Sequence, residues 1–193
     1  MTAPPVALLL WPGSGATRDH RTLMALAQGL APFGVERFDH AHRMAGRKAP
    51  GKPEPDIAGV VDAAEAVAAR LGVDTSQLVV GGRSYGGRMA SMAVAAGLPV
   101  AGLCLLSYPL HPPGKPDRLR TDHLADIAVP TLVVSGKRDP FGSPDEFEPW
   151  LAGMAGPVTS VWLGGGHDPR NDPGVVAAVA TWLAGLGADV PTI

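Results

Sequence analysis

A single cysteine, Cys104, stands among the 193 residues, so an internal disulfide framework is excluded. It lies inside an apolar run and reads as a buried, inert thiol, and the expected compartment is the reducing cytoplasm. Charged residues are also sparse, at 18% with a formal net charge of −2, which leaves no basic surface for nucleic acid or for an anionic membrane. The first apolar run, Val6 to Trp11, is too short for export or membrane spanning, and no positive charge precedes it. There is no internal repeat and no low-complexity tract. What the chain does have is a hydrophobic share of 46%, with 25 glycines and 20 prolines falling mostly at the ends of apolar runs, as turn and cap chemistry. A chain of this length buries roughly 70% of its unfolded surface, so residues 1–193 read as one domain that needs neither metal nor disulfide for stability.

Short runs predict strands at Val6–Trp11, Val35–Asp39, Leu78–Val80, Val100–Leu106, Thr131–Gly136 and Val158–Leu163, with Val6–Trp11 buried on both faces and Thr131–Gly136 another buried strand. Between them, helical spacing recurs through Leu23, Leu26 and Leu30, from Asp56 as N-cap through Val60, Ala64 and Val67 to Gly72, through Met89, Ala93 and Val94, over Asp145–Met154, and over Val175–Leu186. Residues 40–55 form the longest irregular stretch and carry Arg43, Arg47 and Lys48. His40 and His42 in that stretch could offer a metal two imidazoles, but no third ligand of matching spacing accompanies them, and no metal site is expected. Residues 111–120 are too proline-rich for an extended helix and read as an ordered loop. Strict strand–helix alternation predicts an α/β fold: about six mostly parallel strands with helices on both faces.

The stretch that carries chemistry is Gly81-Gly82-Arg83-Ser84-Tyr85-Gly86-Gly87, placed between a strand and a helix. It contains Gly-x-Ser-x-Gly, in which a serine is held in a strained turn with its hydroxyl clear of the sheet. The alternative is a glycine-rich connection whose serine merely caps the helix. Functional groups gather beyond the carboxyl ends of the strands in an open parallel sheet, and four loops there carry suitable residues: Gly13–Gly15, Ser84, Asp139 and His167. Their order, Ser, Asp, His, is that of the α/β-hydrolases. Asp168 adjoins His167 too closely in sequence to reach the far ring nitrogen, so Asp139 is preferred as its partner. His20 and His111 fall on rim loops as candidate substrate contacts, and Arg88, one helical turn beyond Ser84, could bind a carboxylate. For all three, a solvated, structural or salt-bridged role is the alternative.

The whole chain resembles a small α/β-hydrolase. The elbow, the segment Tyr108-Pro109-Leu110-His111-Pro112-Pro113-Gly114-Lys115-Pro116, and Gly136-Lys137-Arg138-Asp139-Pro140-Phe141-Gly142 resemble the KANL3/Tex30 group of that superfamily, which is akin to dienelactone hydrolases. The resemblance implies a serine hydrolase acting on a small-molecule acyl substrate without a cofactor, with Ser84, His167 and Asp139 as catalytic residues. Its oxyanion hole would use the backbone N–H of Tyr85 and one from Ser14 or its neighbours. Two departures matter: the loop after the first strand reads Trp-Pro-Gly-Ser-Gly where a His-Gly-Gly-Gly type is usual, and no long insertion forms a lid domain. A cysteine nucleophile is excluded, since the elbow holds serine. Some relatives serve as scaffolds, so a non-catalytic interaction module is the alternative function.

Overall fold

The computed structural model describes residues 3–191. Its elements in chain order are β1 (Ala7–Trp11), α1 (Arg21–Gly29), β2 (Gly34–Arg37), α2 (Ala41–Met44), α3 (Glu54–Leu71), β3 (Leu78–Arg83), α4 (Tyr85–Ala95), β4 (Gly102–Leu106), β5 (Thr131–Gly136), α5 (Pro144–Ala152), β6 (Val158–Leu163) and α6 (Asp172–Gly185). The six strands form one sheet in the order β2-β1-β3-β4-β5-β6, and every neighbouring pair is parallel.

Alternation along each strand divides the core in two. Leu9, Trp11, Val80, Leu103, Leu105 and Val133 face α3, α4 and α5. Leu8, Leu10, Val79, Cys104, Leu132 and Val134 face α1 and α6. Both faces of β1, β4 and β5 are buried throughout, which is why these strands read as unbroken apolar runs. The chain enters the sheet at β1, goes outward to β2, returns to β3 and then steps away through β6. Strand order therefore reverses between β1 and β3, the position at which open parallel sheets leave a crevice at the carboxyl ends of the strands.

Three expectations need correction. The α3 helix starts at Glu54 after Pro53, so Asp56 is not its N-cap. Proline belongs in a first helical turn, where its missing N–H removes a donor that would have had no partner, and Pro53-Glu54-Pro55 is a helix start. The β3 strand runs on to Arg83 because Gly81 and Gly82, which read as a turn, stay in register with Cys104 and Leu105 of β4. Residues 40–55 include the short α2 helix. Between β4 and β5 there is only a single 3-10 turn, Leu124–Asp126, so among the described residues no helical insertion covers the crevice. Among those residues no helix is long and apolar enough to cross a membrane.

Cys104 is wholly buried in β4, and burial pushes its thiol up to about 12. The thiolate is the nucleophilic form. Iodoacetamide at pH 8 should therefore leave the folded protein unmodified by mass spectrometry and alkylate it fully in denaturant; equal rates in the two states would contradict this burial.

Candidate active site

The crevice begins with a backbone contact. A Cβ on Gly82 would lie 2.3 Å from the carbonyl oxygen of Trp11, and one on Gly86 would lie 2.2 Å from the same atom. Only glycine lets β3 and α4 come this close to the end of β1. Between them Ser84 takes φ 52° and ψ −116°, a left-handed strain of about 1–3 kcal/mol that the surrounding structure must hold. Its N–H donates to the Leu106 carbonyl at 2.8 Å. Its hydroxyl makes no capping bond to α4, so the capping alternative is set aside. It meets Nε2 of His167 at 2.9 Å.

His167 follows β6, and its Nδ1 lies 2.8 Å and 3.0 Å from the two carboxylate oxygens of Asp139, which follows β5. Asp139 is 3% exposed, and it also accepts from the Ser135 hydroxyl at 3.1 Å and the Phe141 N–H at 2.9 Å. The Phe141 ring lies against the His167 imidazole with centroids 4.0 Å apart. Asp168, the rival carboxylate, points elsewhere: it accepts from Arg21 at 2.6 Å and lies 3.7 Å from Arg83. Arg83 in turn donates to the His167 carbonyl at 2.9 Å, so the residue preceding the serine holds the loop that presents the imidazole. Burial holds the Arg83 guanidinium below its ordinary range.

The loop after β1 lies beside the serine: a Cβ on Gly13 would be 3.6 Å from that of Ser84. The loop is a turn closed by the Ala16 N–H on the Gly13 carbonyl at 3.0 Å. Among the described residues, the N–H groups of Gly13, Ser14 and Gly15 donate to no protein acceptor. The Tyr85 N–H, first in α4, is one of the amides that a helix leaves without an internal partner. The arrangement offers a hydroxyl, a base that can take its proton, a carboxylate that orients the base, and free amides nearby.

The remaining candidates separate. His20 stays near the group, half-buried as N-cap of α1, with Nδ1 accepting from the Thr22 N–H at 3.3 Å. Burial, and then Arg83, lowers its pKa. His111 is corrected: it is 5% exposed, and its ring nitrogens face the Pro112 carbonyl at 2.9 Å and Glu146 at 3.2 Å, so it fastens a loop and is not open to substrate. Arg88 is half-buried, its Nε enclosed without a partner, beside His123 and Arg120, whose pKa values it helps burial to lower. An apolar groove lined by Pro130, Val161, Ala178, Trp182 and Leu186 lies between β6 and α6, away from this group.

Sequence reasoning missed Arg83, Phe141, His42 and Asp56. For Asp56 a signal was present: it shares the stripe of Val60, Ala64 and Val67 on α3, and a carboxylate on an apolar stripe requires buried partners. The His40 and His42 rings are stacked with centroids 5.4 Å apart; His40 Nε2 and both His42 nitrogens are engaged by Pro12, Ser14 and Asp56, while His40 Nδ1 is enclosed without a partner.

A profile of the family described as Alpha/beta hydrolase domain matches residues 4–174. Among solved structures, Est1E from Butyrivibrio proteoclasticus is similar at a TM-score of 0.77 and 14% identity, covering 98% of this chain and 90% of that one. The Bacillus cereus carboxylesterase is similar at 0.67 and 21% identity, covering 96% and 90%. A monoacylglycerol lipase from Paleococcus ferrophilus is similar at 0.66 and 15% identity, covering 95% and 96%. At such identities the likeness is one of fold.

The contact at Trp11 leads to a stability prediction. Gly86→Ala sets a methyl against backbone that cannot yield, and should cost at least about 2 kcal/mol in urea unfolding. Gly185→Ala, where a Cβ meets nothing within 4 Å, should be neutral or stabilising by up to about 1 kcal/mol. Equal effects would show that the contact does not constrain the fold.

Proposed function

The chain belongs to the alpha/beta hydrolase domain family, and on that basis we propose that it is a serine hydrolase, cleaving a carboxylic ester or related acyl bond through Ser84, His167 and Asp139. The observation that carries this reading is the unbroken hydrogen-bonded chain from the Ser84 hydroxyl through both His167 nitrogens to buried Asp139. A serine hydroxyl is a weak nucleophile, and this chain supplies what it lacks.

In the proposed reaction, Ser84 Oγ attacks the acyl carbon while His167 Nε2 accepts its proton. Asp139 accepts from Nδ1–H, which fixes the tautomer and stabilises the imidazolium. The carbonyl oxygen becomes an oxyanion that takes hydrogen bonds from the Tyr85 N–H and from an N–H of the Ser14 turn, each worth roughly 3–4 kcal/mol of barrier. Collapse breaks the bond to the leaving group, which departs with the proton from His167 and leaves an acyl-serine. Water then gives a proton to His167 and attacks the same carbon, and the acid leaves as Ser84 regains its proton. Water is the co-reactant, and every protein group named belongs to this chain.

The elbow, the Tyr108–Pro116 segment and the Gly136–Gly142 segment support placing the chain in the KANL3/Tex30-like, dienelactone-hydrolase-related branch. We read residues 1–193 as one such domain acting in the cytoplasm on small acyl compounds; the β4–β5 connection, which holds only the 3-10 turn Leu124–Asp126 among the described residues, supports the small substrate.

A fluorophosphonate probe should label the parent protein and fail on Ser84→Ala; well-folded parent that takes no label would favour the non-catalytic scaffold. Asp139→Asn should lower kcat by about 10⁴-fold, whereas Asp168→Asn, which disturbs only the support given by Arg21 and Arg83, should cost less than about 100-fold. The reverse ranking would exchange the two carboxylates.

A further inference from the structure

A second histidine–carboxylate pair lies beneath the turn that follows β1. His42 is 0% exposed and Asp56 is 2% exposed. Asp56 accepts three hydrogen bonds: from the His42 N–H at 3.0 Å, from His42 Nδ1 at 2.7 Å and from the Tyr85 hydroxyl at 2.9 Å. Burial alone would raise its pKa, but these donors outweigh burial and hold the carboxyl below its ordinary range. On its other side, His42 Nε2 meets the Ser14 carbonyl at 3.3 Å. Each ring nitrogen of His42 thus faces an oxygen acceptor, so the ring is fixed between the Asp56 carboxylate and the backbone of the turn. His40, stacked on it, donates from Nε2 to the Pro12 carbonyl at 2.8 Å. Both rings meet the Tyr85 ring edge-on.

Three successive carbonyls of the turn are therefore held: Pro12 by His40, Gly13 by the Ala16 N–H, and Ser14 by His42. In a trans peptide the N–H points opposite to its carbonyl. Holding these three carbonyls fixes the directions of the Gly13, Ser14 and Gly15 amides, the N–H groups that donate to no acceptor among the described residues. The other amide beside the nucleophile belongs to Tyr85, whose side chain ends on the same carboxylate. One buried group thus reaches both flanks of Ser84, and the two flanks share no strand or helix.

We infer that Asp56, acting through His42 on the Ser14 turn and through Tyr85 on the first turn of α4, is a positioning residue that sets the oxyanion site from both sides. The inference rests on the reading of Ser84 as nucleophile. Energetics support a role in position. A buried histidine–carboxylate pair is weak evidence for stability, whereas the contacts of this one converge on the two stretches that carry the amides. An oxyanion site acts through pre-set geometry, and a misplacement of about 1 Å can cost on the order of 100-fold in rate.

The test uses Tyr85→Phe, which removes one hydroxyl and keeps the Tyr85 backbone amide, together with Asp56→Asn. Measured on p-nitrophenyl acetate per fluorophosphonate-titrated serine, kcat should fall about 10-fold in the first and about 100-fold in the second, with KM within about twofold. Inhibition by a trifluoromethyl ketone, whose adduct carries the oxyanion, should weaken by the same factors. A purely structural role would lower the melting temperature while leaving kcat per titrated serine and the ketone affinity at parent values, and that result overturns the inference. If Asp56→Asn does not fold, Tyr85→Phe decides alone. Parent protein that turns over and is labelled, with Tyr85→Phe indistinguishable from it, defeats this inference only; parent protein never labelled at Ser84 defeats the serine-hydrolase reading and this inference with it.

Discussion

The carbonyl oxygen of Trp11 occupies space that a side chain on Gly82 or Gly86 would need, and the site is assembled around that contact. Because β3 and α4 press against the end of β1, the chain between them must turn within one residue, and Ser84 takes the strained conformation. Because β1 ends there, the residues after Trp11 emerge beside the serine hydroxyl. Reversal of strand order at the same place keeps a crossover connection from filling the space. Sheet topology, serine geometry and the neighbouring amides thus share one steric origin.

Two buried carboxylates build on this frame, and each orients a histidine. Asp139 is held by Ser135 and the Phe141 N–H and turns Nδ1 of His167 inward. Asp56 is held by the His42 N–H and Tyr85 and does the same to His42. What separates them is the atom facing Nε2. For His167 it is a hydroxyl, which has a proton to give; for His42 it is a carbonyl oxygen, which has none. The same pair of residue types can therefore transfer a proton in one place and only hold the backbone in the other.

That distinction also explains what could be read from the chain. Strands and helices were legible because burial has a period, and Thr131–Gly136 and Val158–Leu163 fall where their apolar runs predict. The elbow was legible because steric need leaves a fixed pattern of glycines. Asp56 reads as a cap because an acidic residue before an apolar run fits that chemistry, while its real partners lie 14 and 29 residues away. His111 was placed at the rim because its loop is there, although its ring turns inward to Glu146. Periodicity reports which side is buried; it does not report which partner waits there.

The rim is built to keep its shape. After β4, the Tyr108 hydroxyl donates to the Arg120 carbonyl at 2.6 Å and the Arg120 N–H to the Leu110 carbonyl at 2.9 Å, closing the proline-rich segment on itself. The His111 N–H then donates to the Phe141 carbonyl at 3.1 Å, joining this segment to the one after β5. Phe141 lies on the His167 ring and gives its own N–H to Asp139. A displacement of the β4–β5 segment would thus reach the histidine–carboxylate pair through one residue. The bonding therefore ties the shape of the rim to the orientation of His167.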